Sequence, residues 1–360
     1  MAYTTINKST DYFNTKLYTG DGTSSRSQTG VGFQPDLVWI KRRSNPASHT
    51  LFDAVRTAGS TKGIASNSTA QEGLTATEGT TANYGYINSF DSDGFTTSNG
   101  AISGGFVNQS SETYASWNWK ANGQGSANTD GSISSTVSAN TTAGFSIVKY
   151  TGNLTSGANI GHGLGVKPAM IIIKNLDAAE SWLCYHTSLG ATKHIKLNAT
   201  EAAGTATSRF NDTEPTTSLF TVGNDPQTNG NSNDMIAYCF AEKKGFSKFG
   251  SYTGNGSTDG TFVYCGFKPA FLIQKRSDIS ANWNMYDNKR SSSGGFNVVD
   301  DLFYVDGSNA EISYTSVDFL SNGFKFRSAD GAINGSGNNI FMAFAEAPLV
   351  GTNNIPATTR

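Results

Sequence analysis

The sequence predicts an all-β protein made of three tandem β-sandwich domains of the jelly-roll or lectin-like kind, and three observations predict it. The first is repetition. Tyr18-Thr19-Gly20-Asp21-Gly22-Thr23 returns as Tyr150-Thr151-Gly152-Asn153-Leu154-Thr155 and again as Tyr252-Thr253-Gly254-Asn255-Gly256-Ser257. A unit of about a hundred residues that recurs along a chain marks a tandem array of one structural unit. The second is texture. Short aromatic and β-branched runs alternate with clusters of Gly, Asn, Asp, Ser and Thr, and no stretch holds a 3.6-residue period. The third is glycine, at 40 of 360 residues, which fits many turns and argues against long helices. About seven short strands per hundred residues is the pattern of a β-sandwich.

The elements keep their order in each unit. The lead-in Thr10-Asp11-Tyr12-Phe13 matches Thr142-Ala143-Gly144-Phe145, so the first domain is expected to start at the N-terminus. After the tyrosine word comes Gly-x-x-Pro, at Gly32–Pro35, Gly165–Pro168 and Gly266–Pro269, then an apolar run ending at Lys41, Lys174 or Lys275. Next come His49–Asp53, Trp182–His186 and Trp283–Asp287. Asp93-Gly94 and Asn322-Gly323 lie between apolar segments, where a tight hairpin needs residues that tolerate positive φ. Each unit closes on an aromatic strand, at Tyr114–Trp119, Ile236–Glu242 and Phe341–Glu346.

These landmarks set domains at 1–122, 130–243 and 246–347, with a polar tail at 348–360. Asn122–Asp130 reads as a flexible connection, whereas the short junction Lys243-Lys244-Gly245 predicts firm contact between the second and third domains. Leu37–Ile40 and Met170–Ile173 are apolar on both faces, unlike the outer face of a lone sandwich. A loop of the same domain, a neighbouring domain or a neighbouring subunit must cover them. The last of these points to a homo-oligomer, a trimer or a ring.

Composition bounds the function. Charged residues are 15%, net charge is −2 and the pI is about 6.1, so no basic stripe offers itself to nucleic acid. Lys41-Arg42-Arg43 reads as a solvated strand edge. The N-terminus has no charged region followed by an apolar stretch, as a secretory signal would, and no run is long enough to span a membrane. Three cysteines, Cys184, Cys239 and Cys265, are an odd number with none in the first domain, so no disulfide framework is expected, and the first two read as buried small hydrophobes. A Ser-, Thr-, Asn- and Gly-rich surface without an export signal is reconciled by a virus particle, which cell lysis releases.

Motifs for chemistry are scarce. The four histidines, His49, His162, His186 and His194, have no metal-ligand spacing, so neither metal nor cofactor is expected. Gly161-His162-Gly163-Leu164-Gly165 is followed by Pro168 and a strand, and reads as a turn rather than a phosphate loop. Asp91-Ser92-Asp93-Gly94 opens like a calcium loop but lacks the remaining ligands, and reads as a hairpin turn. Asp300, Asp301 and Glu311 are the carboxylates that a glycan depolymerase could use, although no counterparts stand in the other repeats. His49, Trp182 and Trp283 hold equivalent places and are the candidate ligand-binding residues: an exposed aromatic face there could stack on a sugar ring, while burial would make them core.

The pattern Tyr18-Thr19-Gly20, Gly32–Lys41 and Trp117-Asn118-Trp119-Lys120-Ala121 resembles a module of virion structural and tail-fibre-like proteins of marine tailed phages, including those of cyanobacteria. Asp130–Ile133 and Ser138–Phe145 resemble the connector between such modules. The resemblance covers residues 1 to about 347, with the third repeat departing most, at Gln274 and in a shorter lead-in. It implies a non-enzymatic virion protein displayed on the particle exterior, with other virion proteins and a host surface glycan as partners. Head decoration and a purely structural role are the alternatives, and a glycan depolymerase is a further one. Contact residues are then expected where the repeats differ, at 42–48, 58–86, 199–218 and 288–308.

Overall fold

A computed structural model of the chain describes residues 3–75, 79–291, 297–351 and 353. The fold is nearly all β, and its α-helices among the described residues are single turns. Each repeat contributes a large antiparallel sheet with the same central order. In the first repeat this runs Phe13–Thr19, Thr113–Trp119, Leu37–Arg42, Thr50–Asp53, Ile64–Ala65. In the second it runs Phe145–Thr151, Asp234–Phe240, Met170–Asn175, Leu183–His186, Lys193–Lys196. In the third it runs Ser247–Thr253, Asn338–Pro348, Phe267–Arg276, Trp283–Asp287, Val298–Tyr304. The aromatic strand that ends each repeat thus lies at the centre, between the first strand and the lysine strand. Register fixes the equivalences: Trp39 pairs with Trp117, Ile172 with Tyr238 and Ile273 with Met342.

The lysine strands are apolar on both faces because each borders two cores. Val38 and Ile40 point into the first repeat's own core, and Ile171 and Ile173 into the second's. Leu37, Trp39, Met170, Ile172, Phe271 and Ile273 all point into one central core shared by the three repeats. There Phe13 stacks on Phe344 at 5.1 Å, and Trp119 meets Phe240 at 6.3 Å and Phe271 at 5.6 Å, joining rings from all repeats. The cover that the doubly apolar strands require is therefore the rest of the same chain, and this motive for an oligomer falls away. Where the third repeat substitutes Gln274 for an apolar residue, its amide is satisfied by Asn339 Oδ1 at 2.7 Å and by Asn284 Nδ2 at 2.9 Å.

The expected hairpins form. Asp91 pairs with Gly94 and Leu320 with Gly323, each across a two-residue loop. Asp93 also accepts the amides of Gly30 and Gly32, which occupies its carboxylate. Within the stretch expected to be a flexible connection, Ser126–Asn128 is instead an edge strand paired with Ser135–Asn140, because its backbone finds partners there. Of the polar tail, residues 352 and 354–360 lie outside the described residues.

Candidate functional site

The repeated words turn out to be locks. Tyr18, Tyr150 and Tyr252 donate their hydroxyls to the carbonyls of Val107, Thr228 and Ile333. The next residue in each case is a fully buried asparagine: Asn108, Asn229 or Asn334. Its Nδ2 donates to the side chain of Asp21, Asn153 or Asn255 and to the carbonyl of Thr23, Thr155 or Ser257. The amides of Asp21, Asn153 and Asn255 return the bond to Oδ1. The shared glycine is needed because a Cβ at Gly20, Gly152 or Gly254 would sit 2.1, 2.3 or 2.2 Å from a backbone oxygen. The sequence reading missed these asparagines; their signal was an asparagine four or five residues before each aromatic strand.

A second set of equivalent residues joins repeat to repeat in a cycle. His49 Nε2 meets Tyr304 O at 3.1 Å, Trp182 Nε1 donates to Ala65 O at 2.9 Å, and Trp283 Nε1 donates to Lys196 O at 2.8 Å. Each bond runs to the preceding repeat in the cycle. All three rings are buried, so none offers a face to a sugar: the expectation of ligand stacking at His49, Trp182 and Trp283 is corrected, and they are seam residues. His49 Nδ1 accepts from Trp39 Nε1 at 2.9 Å, which places the ring proton on Nε2.

The lysines follow the same cycle. Lys41 Nζ donates to Ser308 O, Lys174 Nζ to Thr69 O and Lys275 Nζ to Thr200 O, at 3.2, 3.2 and 2.9 Å. Burial pushes Lys174 down to about 7 and Lys275 down to about 8. Lys41 is thus not part of a solvated edge: it is buried, and its Nζ donates to the carbonyls of Arg42 and Ser308. Backbone amides complete the cycle, from Glu72 to Leu176 O, from Ala203 to Ser277 O and from Glu311 to Arg43 O.

Two seams carry a buried ion cluster. Arg56 bonds Asp53 at 2.5 Å and Glu72 at 2.9 Å, and Tyr238 of the second repeat donates to Asp53 at 2.8 Å. Arg290 bonds Asp287 at 2.5 Å and Glu311 at 3.1 Å, and Trp117 of the first repeat donates to Asp287 at 3.0 Å. Glu311 also takes Arg43 at 2.7 Å. The candidate depolymerase carboxylates are thus neighbours, but Glu311 is held between two arginines. Asp300 accepts from Ser291 Oγ, while burial and then the nearby Glu311 and Asp300 charges raise Asp301.

Stretches that differ among repeats reach the surface in clefts. Arg42, Ala47 and Tyr84, from residues 42–48 and 58–86, line an open cleft of about 270 Å³ with Ser103, Phe106 and Gln109. Its walls join a cation to rings: Arg42 Nη1 donates to Gln109 Oε1 at 3.0 Å, and Tyr84 and Phe106 tilt together at 5.7 Å. Ala203, from residues 199–218, lines a second cleft between the second and third repeats. Yet the same stretches also build seams, through Ala65, Thr69, Glu72, Thr200 and Ser308.

No curated protein and no solved structure matches the chain. One family model, described as a domain of unknown function (DUF7483), matches residues 8–348 and so takes in all three repeats as a single unit. The chain, with its three interlocked repeats, belongs to the DUF7483 family.

Proposed function

We propose that this protein is a non-enzymatic structural component of a bacteriophage virion, displayed on the particle exterior and tail-fibre-like or tail-tip-like, where it serves in attachment to the host surface. In this reading each repeat is a β-sandwich unit, and the three units share one core to make a rigid presenting body. The observation that carries the reading is the division of labour among residues. Those shared by the repeats are consumed in locks and seams, while the variable stretches, beyond the seam partners they supply, place Arg42 and Tyr84 in the wall of an open cleft. Variation in such walls alters recognition at small cost to the core. The resemblance to marine tailed-phage virion proteins supplies the particle.

The test is made on intact particles. Density for this protein should be found on the particle exterior, and phage carrying Arg42→Ala with Tyr84→Ala should assemble normally but adsorb poorly. Absence of the protein from purified particles would overturn the reading. Lost incorporation with unaltered adsorption per particle would assign the cleft to assembly instead.

A further inference from the structure

We propose that the seam between the second and third repeats is a binding cleft for a small hydroxylated carboxylate, of the uronic-acid class. The argument rests on internal comparison. At the seam between the first and second repeats, Asp53, Arg56 and Glu72 fill the space, and Lys62 pairs with Glu72 at 3.0 Å. Strand register and the equivalent seam bonds place His186, Leu189, Lys193 and Ala203 at the corresponding positions of the second repeat.

Three substitutions empty this seam. Leu189 for the arginine and Ala203 for the glutamate remove the bulk and the charge that fill the siblings. His186 for the aspartate remains neutral, bonded through Nε2 to Phe341 O at 3.1 Å, with Nδ1 accepting the Ser188 amide. What remains is a cleft of about 260 Å³ whose lining includes apolar Leu189 and Ile340 together with Lys193. Lys193 keeps the place of Lys62 but has no carboxylate partner among the described residues. Its rim offers Ser251, Asp278 and Asn338 to hydroxyls. Asp278 does not repel an anion strongly, since Arg276 Nε neutralises it at 2.8 Å.

The seam between the first and second repeats, the one that also carries this lysine, therefore defines the missing group. A carboxylate supplied from outside would take the position of the Glu72 carboxylate on Lys193. The hydroxyls of a sugar ring would meet the polar rim, and its C–H face Leu189 and Ile340. An ion pair within a partly enclosed cleft is worth roughly a tenfold change in affinity. The connection to attachment rests on the function proposed above, but binding itself is measured on the purified protein and does not depend on the particle.

Galacturonate and its neutral match galactose are titrated against the full chain by calorimetry and ligand-observed NMR. Galacturonate should bind, and galactose should bind at least about tenfold more weakly. Lys193→Met should lose about the same factor. Ala203→Glu, which restores the sibling carboxylate, should pair with Lys193 and abolish binding without lowering the melting temperature. Lack of saturation by galacturonate, equal binding of galactose, or binding that survives Lys193→Met would each overturn the proposal. These outcomes are independent of where the protein sits on a virion.

Discussion

At the scale of single residues, the four histidines behave alike. Burial is the largest influence on each and lowers it from its ordinary value: His186 and His194 to about 4, and His49 and His162 in the same direction. A folded-state pKa below the unfolded value of 6.5 means that the unfolded chain binds the proton more tightly in that window. The stability that the neutral histidines contribute is therefore full above pH 6.5, falls as pH drops towards about 4, and levels off below. For His186 the loss amounts to roughly 3 kcal/mol if the whole shift is realised. Burial raises Asp306 to about 6, which opposes the histidines in the same window, so the test is made by difference: between pH 6.5 and 5 the calorimetric melting temperature of His186→Gln should fall less steeply than that of the parent. Identical pH dependence of melting in the parent and in His186→Gln would refute the buried neutral His186. The lock asparagines act at the same scale, since each is itself fully buried and its amide holds two partners in its turn, so that losing one releases several hydrogen bonds at once.

At the scale of elements, the stretch 58–86 illustrates how a segment with loop composition can be structural. It contains the strand Ile64–Ala65, fully buried, whose Ala65 carbonyl accepts from Trp182. Thr69 O accepts Lys174, and Glu72 holds both Arg56 and Lys62. The sequence suggests that this segment could be removed from a folded protein; the structure reverses that expectation. Excising it would leave Arg56, Lys174 and Trp182 buried with lost partners, and breaking a single buried ion pair already costs about 3–5 kcal/mol. The deletion should yield insoluble or unfolded protein, as read by circular dichroism and solubility on expression. A deletion variant that melts cooperatively near the parent temperature would show that the seams are dispensable.

At the scale of the whole molecule, the shared core makes the three repeats one cooperative unit. Leu37, Met170 and Phe271 from three sheets meet in a single cluster, and the cyclic bonds of Lys41, Lys174 and Lys275 tie each repeat to another. Loss of any repeat exposes the central faces of the other two. Full-length protein should unfold in one calorimetric transition with matching calorimetric and van't Hoff enthalpies. A fragment spanning residues 1–122 should not persist as a folded monomer, because Trp39, Trp117 and Trp119 would face water. Three separable transitions, or a stable monomeric fragment by light scattering, would contradict the shared core.

Much of this was legible in the sequence for local reasons. The repeat, the β composition, the Asp93-Gly94 and Asn322-Gly323 turns and the glycines of Gly-x-x-Pro all follow from residue conformation; Gly32, Gly165 and Gly266 do adopt positive φ, at 92°, 68° and 78°. The doubly apolar strands announced that something covered them. What covers them could not be read, because a central core is made by residues far apart in the chain, each of which looks locally like an ordinary strand residue. For the same reason His49, Trp182 and Trp283 could be read either as surface rings or as core, and Lys41 as a solvated edge. Only tertiary packing buried them in a seam, where each bonds a carbonyl of another repeat. The vacant seam beside Lys193 was likewise invisible until three-dimensional register aligned Leu189 with Arg56 and Ala203 with Glu72, since a cleft is a difference between neighbours and not a property of any one stretch of chain.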